Sequence, residues 1–169
     1  MIAELAKYCA YIYEDTPDYI SPLDVECKLY GRALIIQGSD SLLDWQTNFT
    51  AFPTRQGYHA GFYSAFMSIE SWVNDFKDEF DVVAGHSAGG AIAQFCTDVF
   101  EKPAVCFGAP KTGISSPDIV CYSNVLDFVT KLPLFVKNKN VKHNFLALSI
   151  APHSMSVYLA RQSKHEHKN

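Results

Sequence analysis

The sequence predicts an α/β fold, with helices flanking a central, mostly parallel sheet, and three observations carry that reading. From residue 61 onward, segments of helical spacing alternate with short apolar runs, the order that strands and crossover helices produce. Before them, an alternating run and an apolar run meet at Gly31-Arg32, the signature of a hairpin. The chain has 169 residues and is 48% hydrophobic, enough for one real core and suited to a single domain over residues 1–169.

The elements follow in order. Residues 2–13 place apolar side chains at positions 2, 5, 6, 9 and 12, which is helical spacing. Pro17 and Pro22 bracket a loop. Residues 25–30 alternate like a strand, and residues 33–36 form the second arm of the hairpin. Residues 38–53 are a mixed stretch. Over residues 61–80, Phe62, Ala65, Phe66, Ile69, Trp72, Val73 and Phe76 keep the spacing of one helix. Residues 81–84 are apolar and too few for a helix, so they read as a strand, and residues 88–99 read as the helix after it. Strands are expected at 104–107, 119–122 and 141–150, and a helix at 153–161. The polar residues 161–169 read as a frayed tail.

Composition excludes several function classes. A net charge of -4 argues against nonspecific nucleic-acid binding, which needs a basic face. No segment approaches the ~20 apolar residues of a membrane-spanning helix. The first residues lack the basic start and apolar stretch of an export signal, so a cytoplasmic location is expected. The five cysteines, Cys9, Cys27, Cys96, Cys106 and Cys121, form no C-x-x-C pair and mostly sit in apolar runs. They read as small buried hydrophobes in a reducing compartment. No cluster of His, Cys and carboxylates has metal-ligand spacing, so neither a metal nor a cofactor is expected.

The strongest chemical signal is Gly85-His86-Ser87-Ala88-Gly89, directly after one predicted strand and directly before a helix. A nucleophilic serine needs a sharp strand-to-helix turn that lifts its hydroxyl toward substrate, and such a turn leaves no space for side chains two residues away. The helix that follows offers N–H groups to developing negative charge. A G-x-S-x-G string alone arises by chance; its placement between strand and helix gives it meaning.

Other blocks join it. Ile35-Ile36-Gln37-Gly38-Ser39-Asp40-Ser41 with Asp44-Trp45, His59-Ala60-Gly61-Phe62, Gly85 to Gly90, Phe107-Gly108-Ala109-Pro110-Lys111-Thr112-Gly113, Asp127-Phe128-Val129-Thr130-Lys131-Leu132-Pro133 and Pro152-His153-Ser154 follow one another along the chain. In that order and spacing the sequence resembles the class 3, fungal-type lipases. The resemblance runs from about residue 35 to about residue 159. It implies a small α/β-hydrolase and a carboxylic ester hydrolase. Gln37 stands where the family usually has Arg, Ala88 where it has Leu, and Thr130 where it has Pro. The chain is short for the family, which implies a reduced lid and reduced loops.

A serine at its ordinary pKa needs a base, and the base a carboxylate, in the chain order Ser, acid, His. Asp98 and Glu101 belong to the helix after the elbow, and Asp118 precedes a strand, at the wrong end of the sheet. Asp127 follows that strand, where active-site loops gather; alone it reads equally as a turn residue, and the resemblance assigns it as the acid. Among the later histidines, His143 opens a strand while His165 and His167 lie in the tail. His153 follows a strand and a proline, and the resemblance makes it the base. His86 and His59 read as structural, His86 with its side chain turned away from the site. The oxyanion donors are expected to be the backbone N–H groups of Ala88 and, from the resemblance, Ser39.

The leading reading is therefore a serine hydrolase of acylglycerols or other fatty-acyl lipids, with transient contact to a lipid surface. Leu42, Leu43, Trp45, Phe49 and Phe52 would form a short lid or acyl wall, or pack on the core. A phospholipase, thioesterase or acyltransferase would use the same site, and substrates differing only in head group separate these. A noncatalytic binding module on the same fold is the remaining alternative; the intact Ser, Asp and His argue against it, and a fluorophosphonate probe decides it.

Overall fold

Apolar residues four and three apart share one face of a helix. In a computed structural model, which describes residues 1–37, 53–133, 136–138, 141–145, 153–156 and 158–159, the first such stretch forms α1 (Ile2–Tyr11). It buries Leu5, Ala6 and Cys9, and Ile12 extends the stripe just past the helix end. A two-residue strand, β1 (Tyr19–Ile20), follows; it is too short to show a period and goes unread in the sequence. β2 (Glu26–Tyr30) and β3 (Ala33–Ile36) form the expected hairpin. Gly31, at φ +57°, supplies the left-handed backbone of its turn.

The helix expected over 61–80 is two helices, α2 (Ala60–Met67) and α3 (Glu70–Asp75). The Ser68 hydroxyl donates back to the Ala65 carbonyl at 2.7 Å, a side-chain bond that competes with the helix ladder and ends α2. β4 (Val82–His86), α4 (Ala88–Phe100), β5 (Ala104–Phe107), β6 (Ile119–Ser123) and β7 (Lys142–Phe145) complete the order, with a 3₁₀ turn at Val129–Lys131. β4 runs two residues past the expected end and β6 one. Of the strand expected over 141–150, residues 146–150 lie outside the described residues. So do residues 157, 160 and 161 of the 153–161 helix and the whole 161–169 tail, although residues 155, 156, 158 and 159 are helical.

Among the described residues, seven strands lie in chain order, β1 to β7, in one sheet. β1 to β3 pair antiparallel, and β3 to β7 pair parallel. Parallel crossovers turn right-handed, so strands added steadily in one direction send every connection to the same face. α2, α3 and α4 accordingly pack together against Leu34, Ile36, Val83, Cys106 and Cys121. The intervening residues Ala33, Ile35, Ala84, Val105 and Phe107 point the other way. There they meet α1 and the residues Met155 and Tyr158. With both faces covered, all four residues of β3 are buried. His86, Phe107 and Tyr122 are in register, so these strands end at one edge, where the site lies.

Candidate active site

At that edge β4 turns abruptly into α4. Ser87 occupies the turn with φ +54° and ψ -125°, a conformation that costs a non-glycine residue about 1–3 kcal/mol. The small residues permit it. A Cβ on Gly85 would lie 2.4 Å from the carbonyl carbon of Gly89, and one on Gly90 would lie 2.8 Å from the Gly85 oxygen. Gly89 and Gly90 each disfavour the helix by about 1 kcal/mol relative to alanine. Ile92 and Phe95, both buried, offset this at roughly 1.5–3 kcal/mol each, so packing rather than propensity holds α4 in place. The first N–H groups of a helix lack intrahelical partners, and α4 begins at Ala88, immediately after the serine.

The structure brings Ser87, His153 and Asp127 together from three distant segments. The Ser87 Oγ lies 2.9 Å from His153 Nε2. His153 Nδ1 lies 2.9 and 3.0 Å from the two carboxylate oxygens of Asp127. A carboxylate only accepts, so Nδ1 carries the proton and Nε2 presents its lone pair to the serine hydroxyl. Asp127 is 1% exposed, yet its charge is well solvated by donors. Besides His153, the Val129 N–H donates to Oδ1 at 3.1 Å and the Tyr158 hydroxyl to Oδ2 at 2.8 Å. Asp118, by contrast, sits just before β6, at the opposite end of the sheet.

Sequence reasoning missed Tyr158. Its hydroxyl is fully buried, and burial together with the adjacent Asp127 carboxylate pushes its pKa up. The signal available was only its place five residues after His153 in a predicted helix. The reading of His86 also needs correction: its ring does not face away from the site. It lies 4.9 Å from the His153 ring, and Nε2 is 2.8 Å from the His153 carbonyl oxygen. The elbow reverses the chain so tightly that the residue before the serine faces the segment carrying His153. Gly108 lies beneath this cluster at φ +60°; a Cβ there would meet Asp127 Oδ2 and Tyr158 Oη at 3.0 Å and His153 Cε1 at 3.2 Å.

Surrounding polar groups tie the loops to α4. Buried Gln94 donates to the Pro110 carbonyl at 3.3 Å and accepts from Thr112 Oγ1 at 2.8 Å and Asn138 Nδ2 at 2.7 Å. Asn138 Oδ1 in turn accepts from the N–H groups of Thr112 and Gly113. His59 caps α2, its Nδ1 accepting from the Phe62 N–H at 3.4 Å, while its own N–H donates to the Thr112 carbonyl at 2.8 Å. Ala88, an expected oxyanion donor, directly follows the serine and is buried. Ser39, Leu42, Leu43, Trp45, Phe49 and Phe52 lie outside the described residues. Among the described residues, no group of three or more His, Cys, Asp or Glu is arranged to hold a metal ion. All five cysteines are buried and unpaired.

A serine on a strand–helix elbow at the carboxyl edge of a parallel sheet, with acid and histidine following in that order, defines an α/β-hydrolase. The lipase (class 3) family matches residues 33–137, more than half of the sequence, and the chain belongs to that family. No curated protein matches it in sequence. Solved fungal lipases share its fold. A deletion mutant of the Rhizomucor miehei lipase propeptide complex superposes with a TM-score of 0.60 at 18% identity, over 77% of this chain and 54% of that one. A mutant of MDLA from Penicillium cyclopium gives 0.58 at 16%, over 83% and 67%. The mono- and diacylglycerol lipase from Aspergillus oryzae gives 0.52 at 23%, over 70% and 56%. The chain thus spans about half the length of the first of these lipases.

Proposed function

We propose that the protein is a carboxylic ester hydrolase acting on acylglycerols or other fatty-acyl lipids, with Ser87 as nucleophile, His153 as base and Asp127 as the acid that orients it. The observation that carries this is the unbroken line of hydrogen bonds from Asp127 through His153 to Ser87. In this reaction Ser87 Oγ attacks the ester carbonyl while His153 Nε2 takes its proton. The backbone N–H groups of Ala88 and Ser39 stabilise the oxyanion of the tetrahedral intermediate. His153 then protonates the departing alcohol, leaving an acyl-enzyme. Water, deprotonated by the same nitrogen, releases the fatty acid. Asp127 keeps Nδ1 protonated and stabilises the imidazolium without taking the proton itself.

Apolar surface beside the site supports a lipid substrate. Val125, Leu126 and Phe128, the neighbours of Asp127 in sequence, are 42, 56 and 61% exposed. Hydrophobic side chains grouped this way on a soluble surface mark contact with apolar ligands or interfaces. Family membership supports the same bond class.

Ser87→Ala is expected to reduce kcat on a soluble ester by about 10³-fold or more, with the fold intact. A fluorophosphonate probe should label wild type at Ser87 and leave the variant unlabelled. Activity within about tenfold of wild type in a pure Ser87→Ala sample overturns the assignment. A panel of acyl esters of increasing chain length, then of differing head groups, reads the substrate.

A further inference from the structure

His86 is buried, yet both its ring nitrogens are engaged. Nε2 lies 2.8 Å from the carbonyl oxygen of His153, and Nδ1 lies 3.2 Å from the hydroxyl of Tyr13, just beyond α1. A carbonyl oxygen only accepts, so Nε2 carries the hydrogen. In the neutral ring Nδ1 must then accept, and the Tyr13 hydroxyl donates to it. Direction is thereby set along the whole chain of bonds: Tyr13 to His86, and His86 to the backbone of His153.

We propose that His86 is a positioning residue for His153, holding the backbone from which that ring hangs, and that Tyr13 sets the tautomer which makes this bond. The proposal rests on the reading of His153 as the base. Asp127 governs the orientation of the His153 ring, but an imidazole turning on a loose backbone would still wander from the serine. His86 removes that freedom. It is covalently next to Ser87, so its bond to His153 turns a contact spanning 66 residues of chain into a local distance. Nucleophile and base are referred to the same two-residue segment of the elbow. Reaction rates are sensitive to such placement; a 1 Å error can cost about 10²-fold.

Two further features fit this role. His86 and His153 rings lie 4.9 Å apart, tilted by 35°, so a charged His86 would oppose the imidazolium that His153 becomes. Burial, reinforced by His153 itself, lowers the His86 pKa to about 4. The ring therefore stays neutral and keeps its Nε2–H at working pH. The groups acting on it are Tyr13 from the α1 side, His153 and Tyr158 from the C-terminal segment, and the Asp127 carboxylate, whose charge opposes the lowering without reversing it. A histidine that merely filled space would be replaced equally well by any side chain of similar volume.

The experiment compares His86→Leu, His86→Gln and Tyr13→Phe by steady-state kinetics on a short, water-soluble ester, with Ser87→Ala as the inactive reference. Leu should lower kcat by about 10²-fold with KM within about threefold. Gln, whose amide N–H can reach the same carbonyl, should recover kcat to within about fivefold of wild type. Tyr13→Phe, at a half-buried site where folding is not at stake, should lose roughly three- to tenfold in kcat as the other tautomer becomes competitive. Wild-type kcat in either Leu or Phe, or a Gln variant no better than Leu, overturns the proposal. If the wild type itself cleaves no ester and resists the fluorophosphonate probe, the functional reading fails instead. Histidine ¹⁵N shifts then decide the bond pattern: a neutral Nε2–H tautomer for His86, shifting toward Nδ1–H in Tyr13→Phe, upholds it. An Nδ1–H ring in the wild type overturns it.

Discussion

Tyr158 and Asp127 illustrate how a buried carboxylate is surrounded by donors. Each carboxylate oxygen has two neighbours: Oδ1 has His153 and the Val129 N–H, and Oδ2 has His153 and the Tyr158 hydroxyl. Tyr158→Phe deletes one donor to Asp127, along with the Asn124 hydrogen bonds to the same hydroxyl, at a buried position. It should cost about 1–3 kcal/mol in denaturant unfolding, because a buried charge loses a partner. It should also lower kcat modestly, by roughly tenfold, since Asp127 keeps its grip on His153. Asp127→Asn keeps the shape but allows the wrong nitrogen of His153 to hold the proton, and a loss of about 10⁴-fold in kcat is expected. Asp118→Asn, at the far end of the sheet, should leave kcat near wild type; a severe defect there with near-normal Asp127→Asn reverses the assignment of the acid. Of these residues, Ser87 was legible because its elbow is written in adjacent small residues. Asp127 and His153 were legible through chain order and the family resemblance. The partners of Tyr158 and His86 were not, because they depend on where a segment 31 and 67 residues away docks.

At the scale of single elements, the elbow and the turn after β5 are built by exclusion of side chains. Gly108→Ala would combine a left-handed φ with a methyl 3.0 Å from the Asp127 carboxylate and the Tyr158 hydroxyl. The expected result is a folded protein, destabilised by about 1–3 kcal/mol, with activity lost out of proportion to stability. Thermal melting and kcat measured together test this; an unchanged kcat would falsify the view that the turn supports the acid. Gly85→Ala is harsher, since its methyl would meet backbone that cannot move away, and no soluble folded protein is expected. Element type was well read from periodicity wherever a face was buried over several residues. Periodicity could not reveal the α2–α3 break, because Phe62, Ala65, Phe66, Ile69 and Val73 keep their spacing straight through it. What ends α2 is a hydroxyl bond at Ser68, which carries no hydrophobic signal. β1 escaped for the opposite reason: two residues have no period.

The whole molecule should be sensitive to acid for a reason located in its interior. Folded His86 titrates at about 4, against 6.5 for the ordinary ring. Below 6.5 the unfolded chain takes up a proton that the folded chain refuses. Its contribution is therefore complete above about pH 6.5, declines as pH falls toward 4, and amounts to about 3 kcal/mol in full. His59, also lowered by burial, acts in the same direction. Urea unfolding at pH 7.5, 6 and 5 should show stability falling across this window, with a shallower slope in His86→Gln. A slope identical in both proteins refutes the attribution to this ring.

The sheet is wound in one direction, so its second face is closed by the first helix and by the segment carrying His153, Met155 and Tyr158. That arrangement orders events in time as well as space. Ser87 is polymerised 66 residues before His153, a lead of about 3–13 s at ordinary rates of translation. With His153 as the base proposed above, a chain synthesised only as far as β7 holds the elbow and Asp127 but lacks that base. On the proposed reading the emerging polypeptide stays hydrolytically silent until the segment carrying His153 docks, and the step that seals the core is the same step that arms the serine.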